Sequence, residues 1–277
     1  MGLKNYIKRG IEYIIHGTPI KQTIADIHYT ERGNILSGKK IIITGGGRGL
    51  GLSMAEKFIS EGAKVLIAGR NQEVLKSASE RLGCLCLEID VTHPKSFSDF
   101  IRQADRLLGG IDVLVNNAGI SLHEESFLDV TFETYNAQMS TNLTGGFFLT
   151  QEFIRHLTFH DKKGSVLFTS SETGDTMDYR PYGLTKVAIN SLVQGLAYLY
   201  AKKGIRINAV APGITASDMT GLNSTGNIYY QWNINNRVYM PEEVAEVACF
   251  LVSDISGCVS GQIITCNNGK SINARWK

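Results

Sequence analysis

The chain is short of several features that mark whole classes of protein. Five prolines in 277 residues leave no basis for a collagen-like or Pro-rich linker architecture. The cysteines, Cys84, Cys86, Cys249, Cys258 and Cys266, are odd in number and contain no CxxC pair. That argues against a disulfide framework or a zinc ribbon, and all five read as reduced packing residues. His156 and His160 have the i, i+4 spacing of a metal clamp, but no third ligand is evident. They read as a solvated pair at a helix end, and no metal is expected. No apolar run approaches the ~20 residues that span a bilayer. The N-terminus also lacks a signal peptide's continuous apolar segment and small-residue cleavage site, so the cytoplasm is the expected compartment. Charge is scarce too: 19% of residues are charged and the formal net charge is +2. Basic residues are spread along the chain, so nucleic acid is not an expected partner.

What the sequence does hold is apolar sequence in ordered alternation. Hydrophobic residues make up 43% of the chain, enough for one sizeable core. Strands are expected at 40–44, 64–68, 84–89, 111–115, 165–169, 206–210 and 262–266. Several, such as "KIIIT" and "IDVLV", are nearly continuous hydrophobics, the pattern of strands buried on both faces of a parallel sheet. Helical stretches such as "NQEVLKSASERLG" and "PKSFSDFIRQADRLLG" lie where parallel neighbours need crossovers. Pro241 followed by two glutamates is a helix start. The fold expected is α/β: a doubly wound, Rossmann-type, seven-stranded parallel sheet in a three-layer α/β/α sandwich, with residues 39–277 as one domain. Residues 1–38 stand apart. Their mixed basic and apolar sequence, broken at Gly17 and Pro19, fits an extension packed on the domain or on a neighbouring subunit. Loose membrane attachment and a flexible tail are the alternatives, and no stable membrane insertion is expected.

Between the first strand and the first helical stretch lies "TGGGRGLG", Thr44 to Gly51. Glycine loses more conformational freedom on folding than any other residue, so five in eight positions need a reason. A helix N-terminus presents free N–H groups and partial positive charge to a phosphate, and glycines let a diphosphate approach the backbone. Tight helix–strand packing also selects glycine.

The spacing Gly45, Gly49, Gly51 is not GxGxxG but TGxxxGxG, and with it the sequence resembles the short-chain dehydrogenase/reductase family. "NNAG" at 116–119, "STNLTG" with Asn142, "FTSSETG" with Ser170 and Ser171, "YGLTK" with Tyr182 and Lys186, and "RINAVAPG" ending at Pro212 and Gly213 follow in the family's order. The likeness runs from about residue 38 to the C-terminus and looks closest to members that include 3-oxoacyl-carrier-protein reductases. It implies an enzyme acting on CH–OH groups or the corresponding carbonyls with a nicotinamide coenzyme. A nucleotide-sensing protein without turnover is the less favoured of the alternatives.

The resemblance assigns catalysis to Asn142, Ser171, Tyr182 and Lys186. A ketone reduction needs a proton for the carbonyl oxygen, and a tyrosine with an ordinary pKa of ~10 is a poor donor at neutral pH. Tyr182 and Lys186 are i, i+4 on one helix face, so the ammonium is expected to bring the phenol toward working pH. Ser171, which begins an SxxG, would bind the substrate oxygen, with Ser170 as its structural neighbour. Asn142 would hold a helix open around a relay water. Tyr179 is a decoy, since the residue four later is Gly183. The Ser171–Tyr182 segment is about two residues shorter than in typical relatives.

The coenzyme would be held by Gly45, Gly47, Arg48, Gly49, Leu50 and Gly51 at the diphosphate, and by Asp90 and Val91 at the adenine. Asn117, Ala118 and Gly119 would line the adenosine side, Tyr182 and Lys186 the nicotinamide ribose, and Pro212, Gly213, Ile214 and Ser217 the carboxamide. After the second strand stand Gly69 and Arg70 instead of the carboxylate that would repel a 2′-phosphate. Arg70 and Arg48 therefore favour NADP(H) over NAD(H). An NAD-linked alcohol or polyol dehydrogenase is the alternative. The stretch 215–240, rich in Asn, Gly and Tyr, is expected to form a substrate lid. It suits a hydroxylated molecule, while the resemblance suggests an acyl thioester. The apolar faces of "NSLVQGLAYLYAKKG" lead to a homo-oligomer, which in relatives is commonly a tetramer.

Overall fold

Ile41, Ile42 and Ile43 are all fully buried. A strand permits that only when both its faces are covered, because successive side chains point opposite ways. They belong to β1 (Lys40–Thr44). The other strands are β2 (Lys64–Gly69), β3 (Leu85–Glu88), β4 (Val113–Asn116), β5 (Gly164–Thr169), β6 (Ile205–Pro212) and β7 (Ile263–Cys266). The computed structural model describes residues 33–222 and 224–272. Within them the strands form one seven-stranded sheet in the order β3-β2-β1-β4-β5-β6-β7, with every pairing parallel.

The helices are α1 (Gly49–Ser60), α2 (Gln72–Leu82), α3 (Phe97–Leu108), α4 (Phe132–Gln138), α5 (Gly145–Phe159), α6 (Pro181–Tyr200) and α7 (Pro241–Val252). Alternate strand residues feed two cores. Ile42, Leu66, Leu114 and Val166 pack against Phe100, Phe153 and Val193 of α3, α5 and α6. Ile41, Ile43, Val65 and Val115 pack against Phe58, Leu75 and Leu251 of α1, α2 and α7. This is the doubly wound, three-layer arrangement expected from the continuous apolar strands.

Local signals set the helix ends. The Asn71 side chain accepts from the Val74 N–H at 3.0 Å and opens α2, and Gly83, at φ 63°, closes it. Pro241, Glu242 and Glu243 begin α7 as expected. Strand bounds differ from expectation by one or two residues everywhere but β1, and β3 and β4 show why. β3 is confined to Leu85–Glu88, because as the edge strand it is held only by its pairing with β2. β4 begins at Val113; Ile111 is apolar because it is buried in the approach to the strand. The histidine pair is solvated only at His160, which is exposed; the His156 side chain is 11% exposed, with Nε2 3.2 Å from Asp105 Oδ1. All five cysteines are free thiols, but Cys258 is exposed and does not pack.

Of the N-terminal segment, residues 1–32 lie outside the described residues. Where the described chain begins, it is docked on the domain. The N–H groups of Gly33 and Ile35 donate to the Glu61 carboxylate at 3.4 Å, and Leu36 is fully buried. Glu61 is itself buried and pairs with Lys57 at 2.9 Å, which also reaches Glu246 of α7 at 2.8 Å.

Candidate active site

The sheet order reverses at β1, whose neighbours β2 and β4 lead outward in opposite directions. The connections there leave a crevice beyond the carboxyl ends of the strands. The glycine turn enters it from β1. Gly45 has φ +65°, and a Cβ on Gly51 would lie 2.2 Å from the Gly45 carbonyl oxygen, so residue 51 must be glycine for the turn to close. The turn delivers the N-terminus of α1, which has no side-chain cap and no acidic residue in its first turn. Its N–H dipoles are therefore free for an anion. Gly47 lies beside Val74; Gly49 has φ +52°; Leu50 packs partly on the core below. Arg48 is exposed, 3.6 Å from Asp218.

The other expected coenzyme contacts line the same edge. Arg70 follows β2 and is exposed. Asp90 accepts from the Thr92 N–H and hydroxyl at 2.9 and 2.8 Å. Burial raises its carboxyl pKa, but these bonds and the charges of Arg70 and His93 outweigh it and hold the group below the ordinary range. Val91 is buried and meets Gly145 at the start of α5. The Asn117 side chain is engaged within the protein. Its amide donates to the carbonyls of Thr44 and Gly45 at 3.1 and 3.2 Å and accepts from the Thr169 hydroxyl at 3.2 Å. It ties β1, β4 and β5 together instead of offering its side chain to a ligand. Ala118 donates its N–H to the Thr44 hydroxyl, and Gly119 faces Asn142. Pro212 ends β6, and the Gly213 N–H donates to the Cys266 carbonyl at 3.0 Å. The Ile214 carbonyl accepts from Tyr239 N–H at 3.0 Å, and Ser217 turns on Thr220.

Deeper in the crevice, four side chains converge. Asn142 lies in a π-helical turn, Met139–Thr144, between α4 and α5. Its amide clamps the Ile120 peptide from both sides at 2.8 Å. Tyr182 and Lys186 stand one turn apart on α6, with the Lys186 Nζ 5.2 Å from the Tyr182 ring centre and donating to the Thr169 carbonyl at 2.8 Å. The Ser171 hydroxyl lies close enough to the Tyr182 phenol to pull its pKa down, and it accepts from the Thr173 N–H at 3.3 Å. Ser170 turns away, donating to Asn190 Oδ1 at 2.6 Å, so the geometry separates the two serines. Between Asn142, Lys186, Thr169 and Asn116 lies a small pocket of about 10 Å³, room for about one water molecule.

The electrostatics depart from the sequence expectation. Burial pushes the Tyr182 phenol above its ordinary 10, against the Ser171 hydroxyl and the Arg180 charge, which pull it down. Burial also takes the Lys186 ammonium down to about 8. The cation acting on the phenol is thus Arg180, a residue the sequence reading did not single out. Its guanidinium forks onto the buried Asp178 at 2.9 Å through Nε and one terminal nitrogen. Asp-x-Arg immediately before a helix-opening proline was the available signal. Glu172, next to Ser171, was missed as well; it binds Asn267 and Lys270 at 3.0 and 2.8 Å. Tyr179 lies outside the group, its hydroxyl donating to the Glu125 carbonyl at 3.2 Å.

The chain is similar to several known proteins. A family model described as enoyl-(acyl carrier protein) reductase matches residues 45–271. The chain is 32% identical over 244 residues to the 3-oxoacyl-(acyl-carrier-protein) reductase of Aquifex aeolicus, covering 84% of this chain and 98% of that protein. It is 31% identical over 248 residues to the gluconate 5-dehydrogenase of Gluconobacter oxydans, covering 86% and 96%. The crystal structure of a short-chain type dehydrogenase/reductase from Mycobacterium marinum matches with a TM-score of 0.78 at 28% identity, covering 86% of this chain and 97% of that one.

Proposed function

The chain belongs to the short-chain dehydrogenase/reductase family of oxidoreductases, and on that premise we propose that it reduces a carbonyl, or oxidises an alcohol, with NADP(H). The observation that carries the reading is buried Lys186 with its Nζ 5.2 Å from the Tyr182 ring centre, beside a buried Ser171 that acts on the phenol. The residues fit the coenzyme. The Gly45–Gly51 contact leaves no side chain over an uncapped helix N-terminus, and that suits a diphosphate. When bound, the coenzyme supplies the hydride in reduction and accepts it in oxidation.

The chain's own residues handle the proton and the oxygen. In reduction Tyr182 gives its phenolic proton to the carbonyl oxygen while Ser171 donates a hydrogen bond to that oxygen. In oxidation the phenolate takes the hydroxyl proton. Lys186 holds the nicotinamide ribose and, through the small pocket shared with Asn142, exchanges protons with water. Gly69 and exposed Arg70 after β2, with Arg48 in the turn, support NADP(H) over NAD(H), since a guanidinium binds a 2′-phosphate and no carboxylate opposes it.

Exposed apolar side chains on α5 and α6, among them Phe147, Phe148, Leu184, Val187 and Tyr198, support a homo-oligomer, a tetramer by family habit. Five free thiols suit a reducing compartment such as the cytoplasm, and no helix among the described residues is long and apolar enough to cross a membrane.

The test combines coenzyme binding and turnover. Fluorescence titration is expected to give tighter binding of NADPH than of NADH; the reverse order rejects the NADP(H) reading. Tyr182→Phe should lower turnover by about 10²-fold or more, the usual yield of a positioned acid, while NADPH affinity stays within a few-fold. Unchanged activity would remove Tyr182 from the mechanism.

A further inference from the structure

The names of the relatives lead to different substrates, a 3-oxoacyl group on a carrier protein and gluconate, both attached to negative charge. The walls of the substrate end of this crevice bear on that choice. Four segments surround Ser171 and Tyr182: the loop after β4 (117–131), the segment after β5 (170–181), the stretch after β6 (213–240) and the turn after β7 (267–272). They are fastened to one another. Tyr179 donates to the Glu125 carbonyl at 3.2 Å, His123 Nε2 lies 2.9 Å from the Met219 carbonyl, and Lys270 reaches Glu172 at 2.8 Å.

Together these segments carry seven carboxylates, Glu124, Glu125, Asp129, Glu172, Asp175, Asp178 and Asp218, against three cations, Arg180, Arg237 and Lys270. The whole chain is net positive, so the imbalance is local. Each of the three cations already faces a carboxylate: Arg180 faces Asp178, Lys270 faces Glu172 and Arg237 faces Glu243. Arg48, at the border with the glycine turn, lies by Asp218. Arg180, the cation acting on Tyr182, also feels Glu124. Glu124, Glu125, Asp129 and Asp175 have no ion-pair partner among the described residues. The segments flanking Ser171 and Tyr182 therefore carry surplus carboxylate, Glu124 reaching the site through Arg180, while Asp175 binds Asn190 and Thr265 and Asp129 caps Ser126; Arg48 and Arg70 stand on the glycine-turn side.

The geometry points to an uncharged carbonyl or alcohol as the substrate, and to exclusion of carbonyls carried on an anion, whether a free carboxylate or an acidic carrier protein. Like charges brought together in a partly desolvated mouth repel, and such repulsion rejects wrong partners more effectively than contacts select right ones. This inference deepens the reading of Tyr182 and the coenzyme given above and depends on it.

Matched pairs test it: ethyl acetoacetate against acetoacetate, and a ketohexose against the keto acid of the same carbon skeleton, each with NADPH at low and high salt. The neutral member should be favoured by about tenfold or more in kcat/KM at low salt, and the gap should narrow at high salt as the charges are screened. Glu125→Lys, at an exposed position outside the catalytic group, should raise use of the acids and leave the neutral members unchanged. The same compounds are also scored by thermal shift of the NADP⁺-loaded Tyr182→Phe protein, so a pair that is not turned over still gives an answer. Equal or better response to the acids in both pairs, a neutral preference indifferent to salt, or no discrimination in either readout overturns the inference. Failure to bind NADPH, or full activity in Tyr182→Phe, would instead overturn the underlying functional reading.

Discussion

Lys186 brings an ammonium into the interior with no carboxylate ion-paired to it among the described residues, and its pKa falls to about 8 from 10.5 because burial penalises the charged form. The sign of the consequence follows from linkage. Below about pH 8 both folded and unfolded chains hold the proton, and the burial cost is present in full. Between about 8 and 10.5 the unfolded chain binds more proton, so stability rises with pH. Relative to Lys186→Met, the wild type should gain about 3 kcal/mol across that window, at 1.36 kcal/mol per pKa unit. Chemical denaturation of both proteins at pH 8 and pH 10.5 measures it, and a constant difference would mean that Lys186 titrates normally. Tyr182 has the opposite disposition: its phenol is held above 10, so it stays protonated at neutral pH. That suits proton donation, and alcohol oxidation should accelerate steadily from pH 6 to 9 while reduction does not. A flat oxidation profile would show that a different base acts. YxxxK made both residues legible in the sequence. Their ionisation was not, because it depends on burial and on Arg180, which only the folded chain brings to bear on the phenol. The choice between Ser170 and Ser171 was open for the same reason: adjacent hydroxyls differ only in which way the backbone turns them.

The glycine turn and the π-helical turn are the two elements on which the site rests. In the turn, a methyl at residue 51 meets a backbone oxygen at 2.2 Å, which cannot swing aside as a side chain would. Gly51→Ala should therefore open the turn, weaken NADPH by about tenfold or more, equivalent to 1.4 kcal/mol of lost contact, and lower the melting temperature. Titration and a thermal melt on one preparation check both. Affinity within twofold of wild type would place the diphosphate elsewhere. The glycine spacing announced this element, since few other demands put five glycines in eight residues. The π turn at Met139–Thr144 was anticipated only through the resemblance. Its sequence, "MSTNLT", carries no helix breaker, and its shape follows from Asn142 gripping Ile120 across the crevice. Strand existence was readable from apolar runs, but the ends of β3 and β4 were not, because burial and ladder pairing select the same residue types.

At the scale of the molecule, Glu61 joins the first described residues, α1 and α7 through Gly33, Ile35, Lys57 and Glu246. Removing one partner of a buried pair leaves an uncompensated charge, so Glu61→Ala should cost about 3–5 kcal/mol without changing which coenzyme is preferred. Urea denaturation gives the first figure and a titration the second; a loss below 1 kcal/mol would mean that Lys57 and Glu246 hold the junction unaided. The chain's order of apolar runs, glycines and helix starts fixed the doubly wound sheet by itself, because covalent alternation of strand and crossover admits few arrangements once both strand faces must be buried. It also supplied the phenol and ammonium proposed to react, which are neighbours on one helix. Folding alone decided the charge lining the mouth, the partner of each guanidinium and the engagement of Asn117 with β1 and β5. Those pairings join residues tens of positions apart, and the field at a point in space depends on distance through the folded chain, which no local pattern records.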